Sequence, residues 1–429
     1  MMKRIAAVFV LVVFAACGES PIDEGWEAYR REGPDKAREA FMLLTKDPKR
    51  SAEAELALAE IALEQDELKE AASRFQSAAA KKELFADAYA GLGEALYRMG
   101  RQKEAYEVWI KALERKPDGA HTERIGAMTG KAYHTTRLTR DGADSYFPRF
   151  HPDGKSVVFT SHRYESGDLF LLRLDDMKQE RLTDMDDSNE ISPVYSPDGS
   201  ALIFAATEHR TGVGYITLHA SGSSTRRIVL MKRDSADGSV SLLTPNPSSV
   251  ANPFHHPSKE RIAFEAAVEA NLDIWTMDVE GGGRVRLTTG PEDDGSPVYT
   301  PDGRSILFVQ TQENNFELML MKADGTGLEQ ATRTPYNEFV GSFSPDGRLL
   351  VYFRQRDSYE LALMDWKTRR SRVLCRLKGD AMQPSFSPDG RRIVFVSNQS
   401  DYMELYLLDL SRPVSGASIL VRLRSLLAS

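Results

Sequence analysis

Six times between residues 151 and 390 the chain returns to one short turn: HPDG (151–154), SPDG (196–199), HPSK (256–259), TPDG (300–303), SPDG (344–347) and SPDG (387–390). The turn prolines Pro152, Pro197, Pro257, Pro301, Pro345 and Pro388 stand 45, 60, 44, 44 and 43 residues apart. Proline presets φ at a turn, and glycine takes the conformation most residues avoid. Six residues after the turn Asp (Ser258 in the third unit) comes an aromatic: Phe159, Phe204, Phe264, Phe308, Tyr352 and Phe395. Each lies in a β-type run such as SILFV, and a second run such as ELMLMK or ELYLLD follows. Most units then close on RLT, LLT or QAT. Four short strands per unit, repeated six times, predict a β-propeller, whose radial packing buries both faces of every blade.

These repeats, over about 134–424, resemble the propeller of the TolB family and its exported relatives. Two departures stand out. The second unit is longer than the others, with the surplus in Glu208–Thr225, read as an extra hairpin outside the ring. Closing strands are also in surplus, since HTTRLT (134–139) precedes the first unit and ASILVRL follows the last. The first is expected to complete the last blade, because a closed ring leaves no long exposed edge. ASILVRL is then an added strand or helix.

Ahead of the propeller, residues 22–117 are rich in Ala, Glu, Leu and Lys, with a period of 34. Ala37, Ala71 and Ala105 align, as do Phe41, Phe75 and Trp109, and Gly25, Ala59 and Gly93. Such a period is one helix–turn–helix unit, in which small residues let paired helices approach. The third unit, with Gly93, Gly100, Ala105, Ala112 and Pro117, resembles the tetratricopeptide pattern. That resemblance implies a peptide groove faced by Tyr29, Arg30, Leu63, Glu64, Tyr97 and Arg98; a solvated spacer face is the alternative. Residues 118–133 are read as a closing helix or linker. The expected fold class is therefore α plus all-β multidomain: N-terminal tetratricopeptide helical repeats followed by a six-bladed β-propeller.

The N-terminus has the form of an export signal, with basic Met1–Arg4 and an apolar run from Ile5 to Phe14. Phe14-Ala-Ala-Cys17 resembles the lipobox of bacterial lipoproteins, although that family usually has Leu at the position of Phe14. The resemblance implies cleavage after residue 16, acylation of Cys17, a short linker at 17–21, and a chain anchored by two or more acyl groups. Gly18-Glu-Ser20 lacks the Asp that retains many lipoproteins at the inner membrane, so the outer membrane, facing the periplasm, is expected. The mature chain would lose Lys3 and Arg4 from a total that already carries 55 basic and 63 acidic residues. That balance argues against nucleic acid. Cys375 is the one other cysteine, so acylation of Cys17 leaves no intrachain disulfide.

Candidate site residues come from the loops that enter each innermost strand. Nine residues before the turn Asp stand Asp144, Asn189, Ser249, Asp293, Asn337 and Asp380; the next positions include Glu190, Asp294 and Glu338. These loops converge on one channel mouth. The residues either cap their own backbone, as Asx turns do, or form an acidic rim for a basic or hydrogen-bond-donating partner segment. TolB's relatives bind protein partners at this end, which the resemblance extends to this rim.

No metal or cofactor is expected. DMDDSNE (184–190) and PEDDG (291–295) lack EF-hand spacing, and His151, His255 and His256 read as turn residues. No Gly-x-Ser-x-Gly elbow occurs, unlike the peptidases that carry a related propeller. Cys375 replaces the Thr of a closing strand and reads as buried structure. The sequence thus predicts an envelope lipoprotein that scaffolds protein partners and is not an enzyme. The alternative is a channel enzyme or a binder of a carbohydrate or peptide.

Overall fold

A computed structural model describes residues 20–81, 85–164, 166–185, 188–207, 228–244, 249–268 and 271–428. Cys17 and the expected signal segment, and the hairpin expected at 208–225, lie outside the described residues. The chain divides into two compact units, residues 1–105 and 106–429.

The first unit is helical: α1 (Pro21–Glu32), α2 (Pro34–Leu44), α3 (Ser51–Glu64), α4 (Leu68–Ala79), α5 (Phe85–Arg98) and the start of α6 (Gln102–Arg115). Ser20 begins α1 with a capping box shared with Asp23, satisfying N–H groups that have no partner inside the helix. Gly33, at φ 98°, breaks the chain between α1 and α2. Helix α1 packs on α2, α3 on α2 and α4, and α4 on α5. The 34-residue pattern is the buried one, since Ala37, Ala71, Phe41 and Phe75 have no exposed surface. Gly25 lets Phe41 in, because a Cβ there would lie 2.4 Å from its ring. Phe75 meets Gly91 in the same way, at 2.3 Å, so the close approach falls two residues before the aligned Gly93.

The second unit holds six four-stranded antiparallel sheets. Their first strands are Ser145–Phe150, Glu190–Tyr195, Val250–His255, Asp294–Tyr299, Asn337–Phe343 and Ala381–Phe386, which open blades 1 to 6. Each first strand touches those of the two neighbouring blades, so the six form the inner wall of a closed ring. The second-strand aromatics are buried between blades: Phe159 packs with Met382 and Val394 of blade 6, and Phe204 with Val158 of blade 1. Blade 6 is completed by Tyr133–Arg137, which pairs antiparallel with Glu404–Pro413. The fastening strand is the predicted one. Beyond it α7 (Ala120–Met128) packs on the outer strand of blade 5 and on α8 (Gly416–Ala428), so the C-terminal run is a helix.

The recurring turn is a side-chain device as well as a backbone one. Asp198 accepts from Ser196 Oγ at 2.6 Å and from Ser200 N–H at 3.0 Å, while Gly199 sits at φ 76°. Asp302 and Asp346 repeat this with Thr300 and Ser344, each at 2.6 Å. In blade 3, where the turn Asp is replaced by Ser258, His256 Nδ1 accepts the N–H groups of Ser258 and Lys259 at 3.1 and 3.0 Å. Its Nε2 donates to the carbonyl of Gly303 in the next blade at 3.1 Å. His256 is thus a turn cap, as its repeat position implied.

Candidate functional site

Every first strand breaks register once, at Tyr146/Arg149, Ile191/Val194, Ala251/Phe254, Gly295/Val298, Phe339/Ser342 and Met382/Ser385. In five blades the skipped pair is a left-handed residue followed by proline. Those residues are Phe147 (φ 54°), Ser192 (52°), Asn252 (47°), Ser296 (54°) and Gln383 (54°). A proline cannot serve the ladder and is tolerated at such a bulge. In blade 5 the pair is Val340–Gly341, where a Cβ on Gly341 would lie 2.3 Å from the Val351 carbonyl. Non-glycine residues at positive φ store backbone strain, which tends to gather at functional sites. Here the strain recurs around one ring.

The bulges line a central cavity of 410 Å³. One side is aromatic: Phe339 stacks on Phe353 at 4.9 Å, and both lie 5.9 Å from the Tyr359 ring. Phe147, Phe254 and Met382 also line the cavity. Between these apolar groups the lining carries polar, uncharged side chains. Ser192 Oγ donates to Asn252 Oδ1 at 2.8 Å, Asn252 Nδ2 donates to Ser296 Oγ at 3.4 Å, and Gln383 Oε1 accepts from Phe147 N–H at 2.7 Å. Hydrogen bonds thus pass from blade 6 to blade 1 and from blade 2 through blade 4. Arg149 is the charged residue of the lining.

The residues expected at an acidic rim have other employment. Asp144 Oδ1 accepts from Met403 N–H at 2.9 Å, Asn189 Oδ1 from Gly167 at 2.6 Å and Asp293 Oδ1 from Leu272 at 2.9 Å. Asn337 accepts from Phe316 at 3.1 Å and Asp380 from Tyr359 at 2.9 Å. Each caps the third strand of the blade before it, so the expectation of a residue capping its own backbone is corrected to a staple between blades. Glu190, Asp294 and Glu338 are buried. Burial pushes Glu190 up to about 8 and Asp294 up to about 6. Burial, with Glu317 beside it, holds Glu338 far above the usual carboxylate range. These acids sit between blades, where burial favours their neutral form.

In the helical unit, the residues assigned to a groove largely join successive repeats. Tyr29 is buried and its hydroxyl donates to Glu64 at 2.5 Å. Leu63 is buried and its carbonyl accepts from Arg98 at 3.4 Å. Arg98 pairs with Glu94 with both side chains buried, and Arg30 pairs with Glu27 at 2.5 Å. Tyr97 is half-buried. Among the described residues no group of three His, Cys, Asp or Glu could hold a metal ion, and no helix is long and apolar enough to cross a membrane.

The channel lining was the signal missed in the sequence. Five residues before the turn Asp stands Pro148, Pro193, Pro297 or Pro384; Pro253 precedes Ser258 by the same interval, and Gly341 takes the place in blade 5. The residue before each one lines the cavity.

Residues 218–362 match the family model described as the TolB beta propeller domain. The matched stretch lies within the ring and takes in 145 of the 429 residues. An uncharacterized protein of Agrobacterium fabrum is 31% identical over 149 residues, 34% of this chain and 47% of that protein. The match therefore spans about half of that relative's length. A solved structure from Agrobacterium tumefaciens assigned as TolB aligns with a TM-score of 0.50 at 23% identity, covering 65% of this chain and 92% of that one. An oligogalacturonate lyase in complex with manganese aligns with a TM-score of 0.46 at 18% identity, covering 65% and 93%. With the first of these structures the ring shares its fold.

Proposed function

We propose that the chain is a lipoprotein of the bacterial envelope, anchored through Cys17, whose tetratricopeptide-like helices and TolB-type propeller bind partner proteins. The propeller would receive a partner segment at its channel. The observation that carries this reading is the half-exposed aromatic wall of Phe339, Phe353 and Tyr359, open to a 410 Å³ cavity. Aromatic side chains gathered in a concave site are the usual anchors of recognition. The capping carboxylates and amides are engaged with the backbone, so the contact is assigned to the aromatic wall instead of an acidic rim. Binding is favoured over catalysis because the lining offers no nucleophile beside a general base.

A crosslinking pull-down of the full-length lipoprotein from its own envelope tests the reading. A defined partner should be recovered by the unmodified chain and lost when Phe339 and Tyr359 are both changed to Ala. Recovery by both would move the contact to the helices or the outer blade surfaces. A parallel Cys17→Ser variant should leave the membrane fraction; if it stays there, the anchor assignment fails.

A further inference from the structure

Several arginines that reach into this propeller are matched by acids. Arg354 pairs with Glu360 at 2.9 Å, Arg286 reaches buried Asp273 at 2.6 Å and Arg181 reaches buried Asp168 at 3.0 Å. Arg149 stands in the channel wall with no carboxylate in ion-pair reach among the described residues. Its Nη1 donates weakly to the Gly341 carbonyl at 3.4 Å, and its guanidinium carbon lies 6.0 Å from the Phe254 ring centre. Burial lowers its pKa to about 10, which leaves it charged at neutral pH. Glu265 lies behind the polar wall, where the N–H of Ser296 donates to it at 2.6 Å and burial favours its neutral form. A chain of net charge −8 thus presents a channel whose lining, among the described residues, carries one cation and no carboxylate.

An unmatched guanidinium in a semi-dry cavity lacks the counter-charge that normally offsets its desolvation. A ligand can supply it. One guanidinium fork fits the two oxygens of a carboxylate, and the surrounding aromatic and methionine surface fits an apolar body. The cavity has the volume of a small-ligand pocket, suited to a free acid or the last residues of a chain.

We propose that the channel binds a carboxylate carried on an apolar or aromatic body, with Arg149 holding the carboxylate and the Phe254 and Phe339 faces holding the body. This deepens the channel-docking reading above and rests on it. The carboxylate can belong to a free organic acid or to the carboxyl terminus of a partner, and the chemistry at Arg149 is the same.

The test is calorimetric titration of the detergent-solubilised full chain with three probes: the tripeptide Gly-Leu-Phe, its C-terminal amide, and 3-phenylpropionate. The tripeptide acid is expected to bind at least tenfold more tightly than its amide. Arg149→Met should abolish that preference and Arg149→Lys should retain part of it, so a folding failure in the first leaves the second to decide. Comparable binding of 3-phenylpropionate assigns a free acid as sufficient. If 3-phenylpropionate binds weakly and the tripeptide acid tightly, the source is a chain terminus. The proposal is overturned if amide and acid bind alike, if Arg149→Met keeps the preference, or if none of the three binds. A partner still captured through Phe339 and Tyr359 in that event would leave the docking reading standing without the carboxylate.

Discussion

Thr244, 2% exposed, accepts the backbone N–H of Leu230 through its hydroxyl at 2.7 Å. Thr139, Thr183, Thr288 and Thr332 do the same for Leu405, Leu169, Ile274 and Leu318, each at 2.9 Å. The closing Leu-Thr pattern of the sequence is therefore a hydrogen-bond requirement: the hydroxyl satisfies a buried strand N–H that the short fourth strand does not reach. Replacing Thr244 with Val keeps the shape and orphans that N–H, so a loss of about 1–3 kcal/mol is expected in urea unfolding. A change within a few tenths would remove the hydroxyl from the account. Cys375 holds the same place in blade 5, is buried, and has its thiol pushed up to about 12 by burial. Iodoacetamide should label it only after unfolding; rapid labelling of the native chain would contradict that burial.

At the scale of elements, the strand Tyr133–Arg137 is the clasp of blade 6. Thr136→Pro would strip a ladder donor and should lower the melting temperature markedly, with an unpaired edge free to aggregate. Gly25→Leu is expected to cost about 1–3 kcal/mol by driving the Phe41 ring aside. Both elements could be read from sequence, because turn spacing and a 34-residue period depend on local chemistry. The fate of Asp144, Asn189 and Glu338 could not. Their polarity and spacing placed them at the ends of the innermost strands, but only the assembled ring sets Met403 or Phe316 against the cap and Glu317 beside Glu338. The channel lining was half legible: the X-Pro pairs stood in the sequence at constant spacing, while the register break that turns them inward is a matter of strand pairing.

For the whole molecule, the buried acids predict an unusual pH profile. Glu190 at about 8, Asp294 at about 6 and the raised Glu338 bind protons more tightly folded than unfolded. Their contribution is complete below the unfolded carboxylate range near 4.5 and is lost as pH rises through the folded values. Lowered groups such as Asp198, held at about 2 by Ser196 and Ser200, act in the opposite sense and lose their contribution below pH 4. His162, His255 and His256, whose burial lowers their hold on a proton, oppose this loss up to their unfolded value of 6.5. Urea midpoints should therefore decline from about pH 6.5 to pH 8, with Glu190→Gln flattening the decline. A midpoint that rises over that window would contradict the burial of these acids.

The clasp also sets an order of events. Tyr133–Arg137 leaves the ribosome, or any export channel, ahead of every blade, and its partner Glu404–Pro413 emerges after all of them. Blade 6 cannot close until Glu404–Pro413 has been delivered. Contacts so distant in sequence form slowly. Until then the first strand waits with its backbone groups unpaired, so the interval between synthesis and closure is when this chain most needs a holding chaperone.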